Sequence, residues 1–166
     1  ATRRIREAGL SDRVAVKLCD YRDERGQYDR VVSIEMFEAV GEAYWKTYFE
    51  AIAARLRPEG RAALQVITIS EDVFPRYRRE MDFIRHYVFP GGMLPTPSHL
   101  EALVEESGFA EPSWRFFGKD YATTCRDWRG RFEANWSSIA PLGFDERFRR
   151  LWRYYLAYCE AGFTAG

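Results

Sequence analysis

Hydrophobic and polar residues follow one another along this chain in a pattern typical of alternating strands and helices. Apolar runs cover residues 29–35 and 61–70, and neither alternates with polar positions as a half-exposed strand does. Between them, residues 36–60 carry apolar side chains at helical spacing and end at the stop signal Pro58 and Gly60. This order predicts a βαβ unit with two parallel strands.

Further elements are predicted on both sides of this unit. Alternating valines and a leucine indicate a strand over residues 11–21, and residues 110–118 are a fourth strand candidate. Gly41 is expected to interrupt the first turn of the central helix. The other predicted helices cover residues 3–10, 96–108, 120–139 and 144–163. The irregular segment 71–95, with its PGG motif, indicates an insertion into a single domain spanning residues 1–166.

Composition excludes some classes of function. The 166 residues carry 25 basic and 25 acidic side chains, so there is no basic excess to favour a nucleic-acid partner. The three cysteines match no metal-binding spacing, and we expect no metal. No apolar run is long enough for a membrane span and no signal peptide is visible, which favours a cytoplasmic location.

Candidate chemistry lies where the predicted parallel strands end, because ligands of open α/β sheets bind at the carboxyl ends of strands. Asp20 and Tyr21 end the first predicted strand, and a carboxylate beside an aromatic ring suits a nucleoside. The alternative is that Asp20 only begins a polar loop. Glu35 and Glu38 follow the second strand, although a glutamate such as Glu38 is also common at a helix start.

Other motifs give little chemistry. Glycine-rich phosphate loops and zinc-binding HExxH patterns are absent, and His86 and His99 are interpreted as structural or exposed. Aromatic residues are concentrated in residues 114–163. They suit either a large core or the wall of an apolar pocket, and the core is the simpler interpretation.

Four segments in order, IEMFEAVG, FIRHYVFPGGMLPTPSHL, FFGKDYATTCRDW and FRRLWRYYLAYCEAGF, resemble the cyclopropane-fatty-acyl-phospholipid synthase family. This family includes the mycolic acid cyclopropane synthases and belongs to the S-adenosylmethionine-dependent methyltransferases. The resemblance implies an α/β fold: a partial Rossmann-like class I methyltransferase sheet with a helical lid insertion at about residues 71–95. The chain is expected to hold the third to sixth strands and to lack the N-terminal glycine-rich motif and the last strand.

The resemblance also implies site residues. S-adenosylmethionine would be held by Asp20, Tyr21, Ser33, Ile34 and Glu35. A bicarbonate ion would be held by Ile34, Glu38, Gln65, Ile67 and Tyr121. Glu38, Tyr121 and Gln65 are the catalytic candidates, with Glu38 and Tyr121 expected to converge on one dry cavity. Gln65 stands where the family has a histidine, and an amide cannot titrate near neutral pH.

The activity implied is transfer of a methylene group from S-adenosylmethionine to the double bond of an unsaturated phospholipid acyl chain, which forms a cyclopropane ring. Such an enzyme would work at the inner face of the membrane, and a homodimer is possible. Two alternatives stay open. One is a related methyltransferase that makes a methyl-branched lipid or a methylated small amine, and the other is a non-catalytic lipid-binding fragment.

Overall fold

The computed structural model describes residues 1–165, and the chain divides into two compact units, residues 1–112 and the residues from Ser113 onward. The first unit contains two strands, β1 (Tyr28–Ile34) and β2 (Leu56–Gln65). Its helices are α1 (Thr2–Glu7), α2 (Phe37–Val40), α3 (Trp45–Arg55), α4 (Phe74–Arg79), α5 (Phe83–Tyr87) and α6 (Pro97–Glu106). The second unit is helical, with α7 (Gly118–Ala134), α8 (Trp136–Ile139) and α9 (Glu146–Ala165).

The predicted βαβ unit is confirmed. Strands β1 and β2 pair in parallel, with Ile34 opposite Gln65 at their carboxyl ends, and α3 is the main helix of the crossover. The predicted boundaries of β2 were shifted. The strand begins at Leu56, before the expected stop at Pro58, and the ladder ends at Gln65 instead of residue 70. A register irregularity opposite residues 28–30 accommodates the proline and glycine.

Two of the four predicted strands are wrong. Residues 14–20 and 109–117 have neither helical nor strand structure, although their side chains alternate as expected. The apolar members Val16, Leu18 and Phe116 are exposed. A strand is stabilised by its neighbour's backbone hydrogen bonds, and within residues 1–165 only β1 and β2 pair. Alternating side chains therefore did not predict strand pairing in these two segments.

Aromatic residues form most of the core of the first unit. This core lies where the apolar stripe of α3 packs against the preceding helix α2 and against α6. The buried core residues are Phe37, Trp45, Tyr48, Phe49, Ile52, Phe74, Met93 and Leu100. Phe37 is fully buried, and its ring contacts those of Trp45, Tyr48 and Phe49 at centroid distances of 5.2–5.5 Å. The residue before Glu38 is thus anchored in the centre of this core.

Glycine and threonine residues set the ends of two helices, as the sequence predicts. Gly41 has φ 81° and separates α2 from a short 3-10 turn, Glu42–Tyr44, that leads into α3. Thr96 is fully buried and caps α6, and His99 completes a reciprocal capping box. The ring of His99 also contacts Phe74 and Trp45, which confirms a structural role for this histidine.

The second unit consists of the two predicted long helices and a short connection. Helices α7 and α9 pack against each other, and Gly143 (φ 101°) forms the turn before α9. Aromatic rings of Phe132, Trp136, Phe148 and Trp152 contact one another in sequence along this packing. Arg149 joins the helices through an ion pair of 2.7 Å to Glu133. These four rings therefore pack between the helices, whereas other aromatic residues of the region, such as Trp114, Phe116 and Trp128, are exposed.

None of the helices within residues 1–165 has both the length and the hydrophobicity needed to cross a lipid bilayer.

Candidate active site

The carboxyl ends of β1 and β2 lie side by side because the strands are parallel and Ile34 pairs with Gln65. Residues 35–38 leave β1 at this edge, and residues 66 and 67 leave β2 beside them. The edge therefore brings together Glu35 and Glu38, which the strand-end rule selects, with Gln65 and Ile67, which the family resemblance implies.

Glu38 is the half-buried acid of this edge. Its Oε1 accepts a hydrogen bond from the backbone N–H of Ile67, whereas its Oε2 is buried and has no partner within residues 1–165. Burial raises the pKa of Glu38 above its usual value, and the Ile67 hydrogen bond opposes this only in part. The geometry thus presents a carboxyl group with one fixed oxygen and one oxygen available to a donor or a proton.

The backbone of Glu38 is fixed by the inserted segment. Its carbonyl oxygen accepts a hydrogen bond of 2.9 Å from the N–H of Met93. A side chain at Gly92 would lie 3.5 Å from the same carbonyl oxygen and 3.2 Å from that of Phe89, so the absence of a Cβ allows this close approach. The PGG motif of the insertion therefore packs directly on the turn that carries the acid.

Tyr48 connects several predicted site residues, and sequence reasoning assigned it only to the core. Its hydroxyl hydrogen-bonds the hydroxyl of Ser33 at the end of β1. Its ring contacts Tyr21 at 5.3 Å and Phe37 at 5.2 Å between centroids. The signal that could have identified it is a tyrosine on the buried stripe of α3, because a buried phenol needs a polar partner.

Glu35 and Gln65 are bound to each other. Gln65 Nε2 donates to Glu35 Oε1 at 3.0 Å, and the backbone N–H of Glu35 donates to the carbonyl oxygen of Gln65 at 2.9 Å. Glu35 has φ 48°, a conformation that costs a residue with a side chain about 1 kcal/mol or more. The predicted cofactor residue and the predicted anion-binding residue are thus joined, and Ile34 is exposed next to them.

Asp20 and Tyr21 differ in how far they support the nucleoside interpretation. Both carboxylate oxygens of Asp20 accept hydrogen bonds from the side chain of Arg22, at 2.8 and 2.9 Å, which lowers the pKa of Asp20 to about 2. This is the geometry expected if Asp20 begins a loop. Tyr21 is half-buried against Tyr48, so its ring is part of the site framework.

Tyr121 lies on α7 in the second unit, where its ring contacts Phe117 and Phe163 at centroid distances of 5.7 and 5.0 Å. Its convergence with Glu38 therefore stays a prediction. Within residues 1–165, no group of three or more metal-ligating side chains comes together.

Comparison with known proteins then assigns the family. The family model described as mycolic acid cyclopropane synthetase matches residues 1–166. The chain belongs to the mycolic acid cyclopropane synthetase family. The resemblance carried by the four sequence segments is thereby confirmed.

Two relatives in this family illustrate its range. The chain is 44% identical over its whole length to tuberculostearic acid methyltransferase UfaA1 of Mycobacterium tuberculosis, of which the match covers 39%. It is 39% identical over 92% of its length to cyclopropane-fatty-acyl-phospholipid synthase of Escherichia coli, of which the match covers 38%. The chain thus spans about two-fifths of the length of these curated relatives.

Solved structures show the same fold. The crystal structure of mycolic acid cyclopropane synthase CmaA1 complexed with SAH and CTAB matches 96% of this chain and 61% of that protein's chain, with a TM-score of 0.83 and 24% identity. Cyclopropane synthase MmaA2 from Mycobacterium tuberculosis matches 98% of this chain and 61% of its own, with a TM-score of 0.80 and 20% identity. The mixed helix and sheet is therefore part of the class I methyltransferase fold, as the sequence predicts.

Proposed function

We propose that the protein transfers a methylene group from S-adenosylmethionine to the double bond of an unsaturated phospholipid acyl chain, with formation of a cyclopropane ring. The observation that supports this proposal most directly is the environment of the Glu38 carboxyl group. A half-buried carboxyl group with a raised pKa and an unpartnered oxygen lies at the strand edge where methyltransferase folds bind ligands. Its family membership supplies the class of reaction.

The residues at this strand edge match only part of what S-adenosylmethionine, the proposed methyl donor, needs for binding. Tyr21, held by Tyr48, offers a ring face for the adenine, and Ser33 and Glu35 offer polar groups to the rest of the nucleoside. Asp20 would have to release Arg22 before it could bind an amine. S-adenosylmethionine, when bound, supplies a sulfonium methyl group that an alkene can attack.

The reaction needs a group that accepts a proton near the transferred methyl. The alkene π electrons form the new C–C bond as the S–C bond breaks, which leaves a positive charge on the acyl chain. Loss of a proton from the new methyl group then lets its C–H electron pair close the ring. In our proposal, Glu38 and Tyr121 would hold a bicarbonate ion, and the ion would supply the base for this proton.

The contacts around Glu38 define how the ion could be held. The N–H of Ile67 already donates to Glu38 Oε1, and Gln65 donates to Glu35. The ion would therefore bind through Glu38 Oε2, which needs a proton to act as the donor, and the raised pKa of Glu38 favours that form. The backbone groups of Ile34 and Ile67 belong to the proposed set, and the Ile67 N–H would have to be shared between Glu38 and the ion.

A methyl-branched product is the second candidate. It is favoured by the similarity to a relative named tuberculostearic acid methyltransferase and by an amide at Gln65, which is engaged with Glu35. Loss of a proton from the acyl chain itself, whose C–H electron pair then forms a C=C bond, would leave a methyl branch on a double bond and no ring. A methylated small amine would be a third possible product.

The experiment is incubation of the protein with methyl-labelled S-adenosylmethionine and vesicles of an unsaturated phospholipid, followed by mass spectrometry of the acyl chains. The proposal predicts a labelled acyl chain, heavier by one CH2 unit, that resists hydrogenation because it contains a ring. A labelled product of the same mass that takes up two hydrogen atoms would indicate a branched chain that still contains a double bond.

Calorimetric titration with S-adenosylmethionine separates an enzyme from a lipid-binding fragment. Absence of both cofactor binding and label transfer in the full-length protein would contradict the proposed enzyme and favour a non-catalytic lipid-binding role. A cytoplasmic location at the inner membrane face and a homodimer remain predictions that accompany the proposal.

A further inference from the structure

The second unit carries an arginine-lined groove that the proposed reaction does not use. The groove has a volume of about 440 Å³ and is lined by Arg129, Arg150, Arg153, Tyr154 and Ala157 on α7 and α9. A cavity with three guanidinium groups and a phenol suits an oxyanion, because arginine presents paired N–H donors that match phosphate oxygens.

The positive charge of this groove is only partly compensated. Glu160 forms ion pairs with Arg126 and Arg129, and Glu133 forms one with Arg149. Arg150 and Arg153 form no salt bridge within residues 1–165. The charge of Arg153 helps to lower the pKa of Glu133 without forming an ion pair with it. The Nε–H of Arg129 is buried and has no partner in the same part of the chain. The groove therefore has more donors than its own acceptors satisfy.

The net charge of the whole chain does not reveal the basic character of the second unit. The net formal charge is zero, yet the residues from Ser113 onward contain nine basic and six acidic side chains. Tyr154 and Tyr158 continue the groove along α9 with exposed rings 6.1 Å apart. Tyrosine beside arginine on one exposed helix face is typical of proteins that bind at the interface between lipid and water.

We propose that this groove binds the phosphate group of an anionic phospholipid at a membrane surface, with the tyrosines at the level of the headgroups. The choice of a membrane rather than a soluble phosphate rests on the proposed function, because a lipid-modifying enzyme must reach acyl chains in a bilayer. The assignment gives the second unit a role in docking that is separate from the chemistry at Glu38.

The test is co-sedimentation of the chain with phosphatidylcholine vesicles that contain or lack phosphatidylglycerol. The double variant Arg150→Gln/Arg153→Gln is expected to bind the anionic vesicles about 30-fold more weakly than the wild type, since each arginine at such a surface contributes roughly fivefold. The matched control is Arg115→Gln/Arg131→Gln, which removes the same charge from exposed positions of the second unit outside the groove. Its expected loss is less than about threefold.

A further variant, Arg150→Lys/Arg153→Lys, keeps the charge and loses the guanidinium fork, so it is expected to retain part of the binding. Circular dichroism of every variant shows that α7 and α9 are intact. Equal losses in groove and control variants, or no preference of the wild type for phosphatidylglycerol, would overturn the assignment. Release of the protein by inorganic phosphate at matched ionic strength would identify a site for free anions and would also overturn it.

The outcome is distinguishable from failure of the proposed function. If the groove variants lose vesicle binding while neither the wild type nor any variant transfers label, the docking proposal is supported and the enzymatic proposal fails. If label transfer to detergent-dispersed lipid is normal and vesicle binding is unaffected by the groove variants, the reverse holds.

Discussion

At the scale of single residues, the carboxyl group of Glu38 makes the free energy of unfolding depend on pH. Burial raises its pKa in the folded protein, so the folded state binds this proton more tightly than the unfolded state does. The stabilisation from proton binding is complete at pH values below the unfolded pKa and is lost as the pH rises through the folded pKa. Above that value the buried charge costs free energy.

Glu38→Gln removes this titration and keeps the acceptor for the Ile67 N–H. We therefore expect the variant to gain stability relative to the wild type as the pH rises from about 4 to about 8, by roughly 1.4 kcal/mol for each unit of pKa shift. Urea unfolding at several pH values measures the difference. Glu50→Gln, on an exposed position of α3, corrects for the loss of one negative charge. The same pH dependence in both variants would contradict the assignment.

The hydroxyl of Tyr48 is the second residue-scale test. Tyr48→Phe leaves the ring in the core but removes the hydrogen bond to Ser33, at an expected cost of about 0.5–1.5 kcal/mol in unfolding free energy. Because Tyr48 supports Tyr21, we expect a larger change in KM for S-adenosylmethionine than in kcat. Tyr44→Phe is the control, since this exposed hydroxyl makes no hydrogen bond within residues 1–165. An unchanged KM in Tyr48→Phe would show that Tyr48 is only a core residue.

At the scale of elements, the turn between α2 and α3 depends on a backbone conformation that glycine adopts easily. Gly41 has φ 81°, and a Cβ there would meet nothing closer than the carbonyl oxygen of Gly91 at 3.6 Å. Gly41→Ala should therefore cost about 1–2 kcal/mol through backbone strain rather than steric overlap. Gly130→Ala, inside α7 with nothing within 4 Å, should stabilise by about 0.5–1 kcal/mol. Thermal unfolding compares the two, and equal signs would contradict this explanation.

The elements also show what the sequence could and could not predict. Apolar periodicity and capping signals identified the βαβ unit, the interruption at Gly41, α6 and the two long helices, because these depend on local propensity and on one buried face. The segments around Val16 and Phe116 carry the same alternation, yet they are not strands, because pairing depends on a neighbour that no local pattern reveals.

The candidate site was predicted to a similar extent. The rule of strand ends identified Glu35 and Glu38, the family resemblance added Gln65 and Ile67, and the structure places these four residues together. The sequence did not predict that Gln65 binds Glu35, that Arg22 engages Asp20 or that Tyr48 supports Tyr21. Each of these contacts depends on side-chain conformation in three dimensions, which residue spacing alone does not determine.

At the scale of the whole molecule, the chain combines part of a methyltransferase sheet with a helical unit of different charge. The acid at the strand edge and the arginine groove lie in separate units, so chemistry and docking can be tested by separate variants. We propose that the free oxygen of Glu38 organises proton removal during methyl transfer to an acyl chain.

The most direct test is the rate of label transfer from S-adenosylmethionine to unsaturated phospholipid in Glu38→Gln compared with Glu50→Gln. We expect a fall of about 10²–10⁴-fold in kcat for Glu38→Gln, because the amide can donate a hydrogen bond to the ion but cannot exchange a proton with it, with cofactor binding and fold retained. Glu50→Gln should transfer label at the wild-type rate. A Glu38→Gln protein that transfers label within a few-fold of the wild type would contradict the proposed role of Glu38 in proton removal.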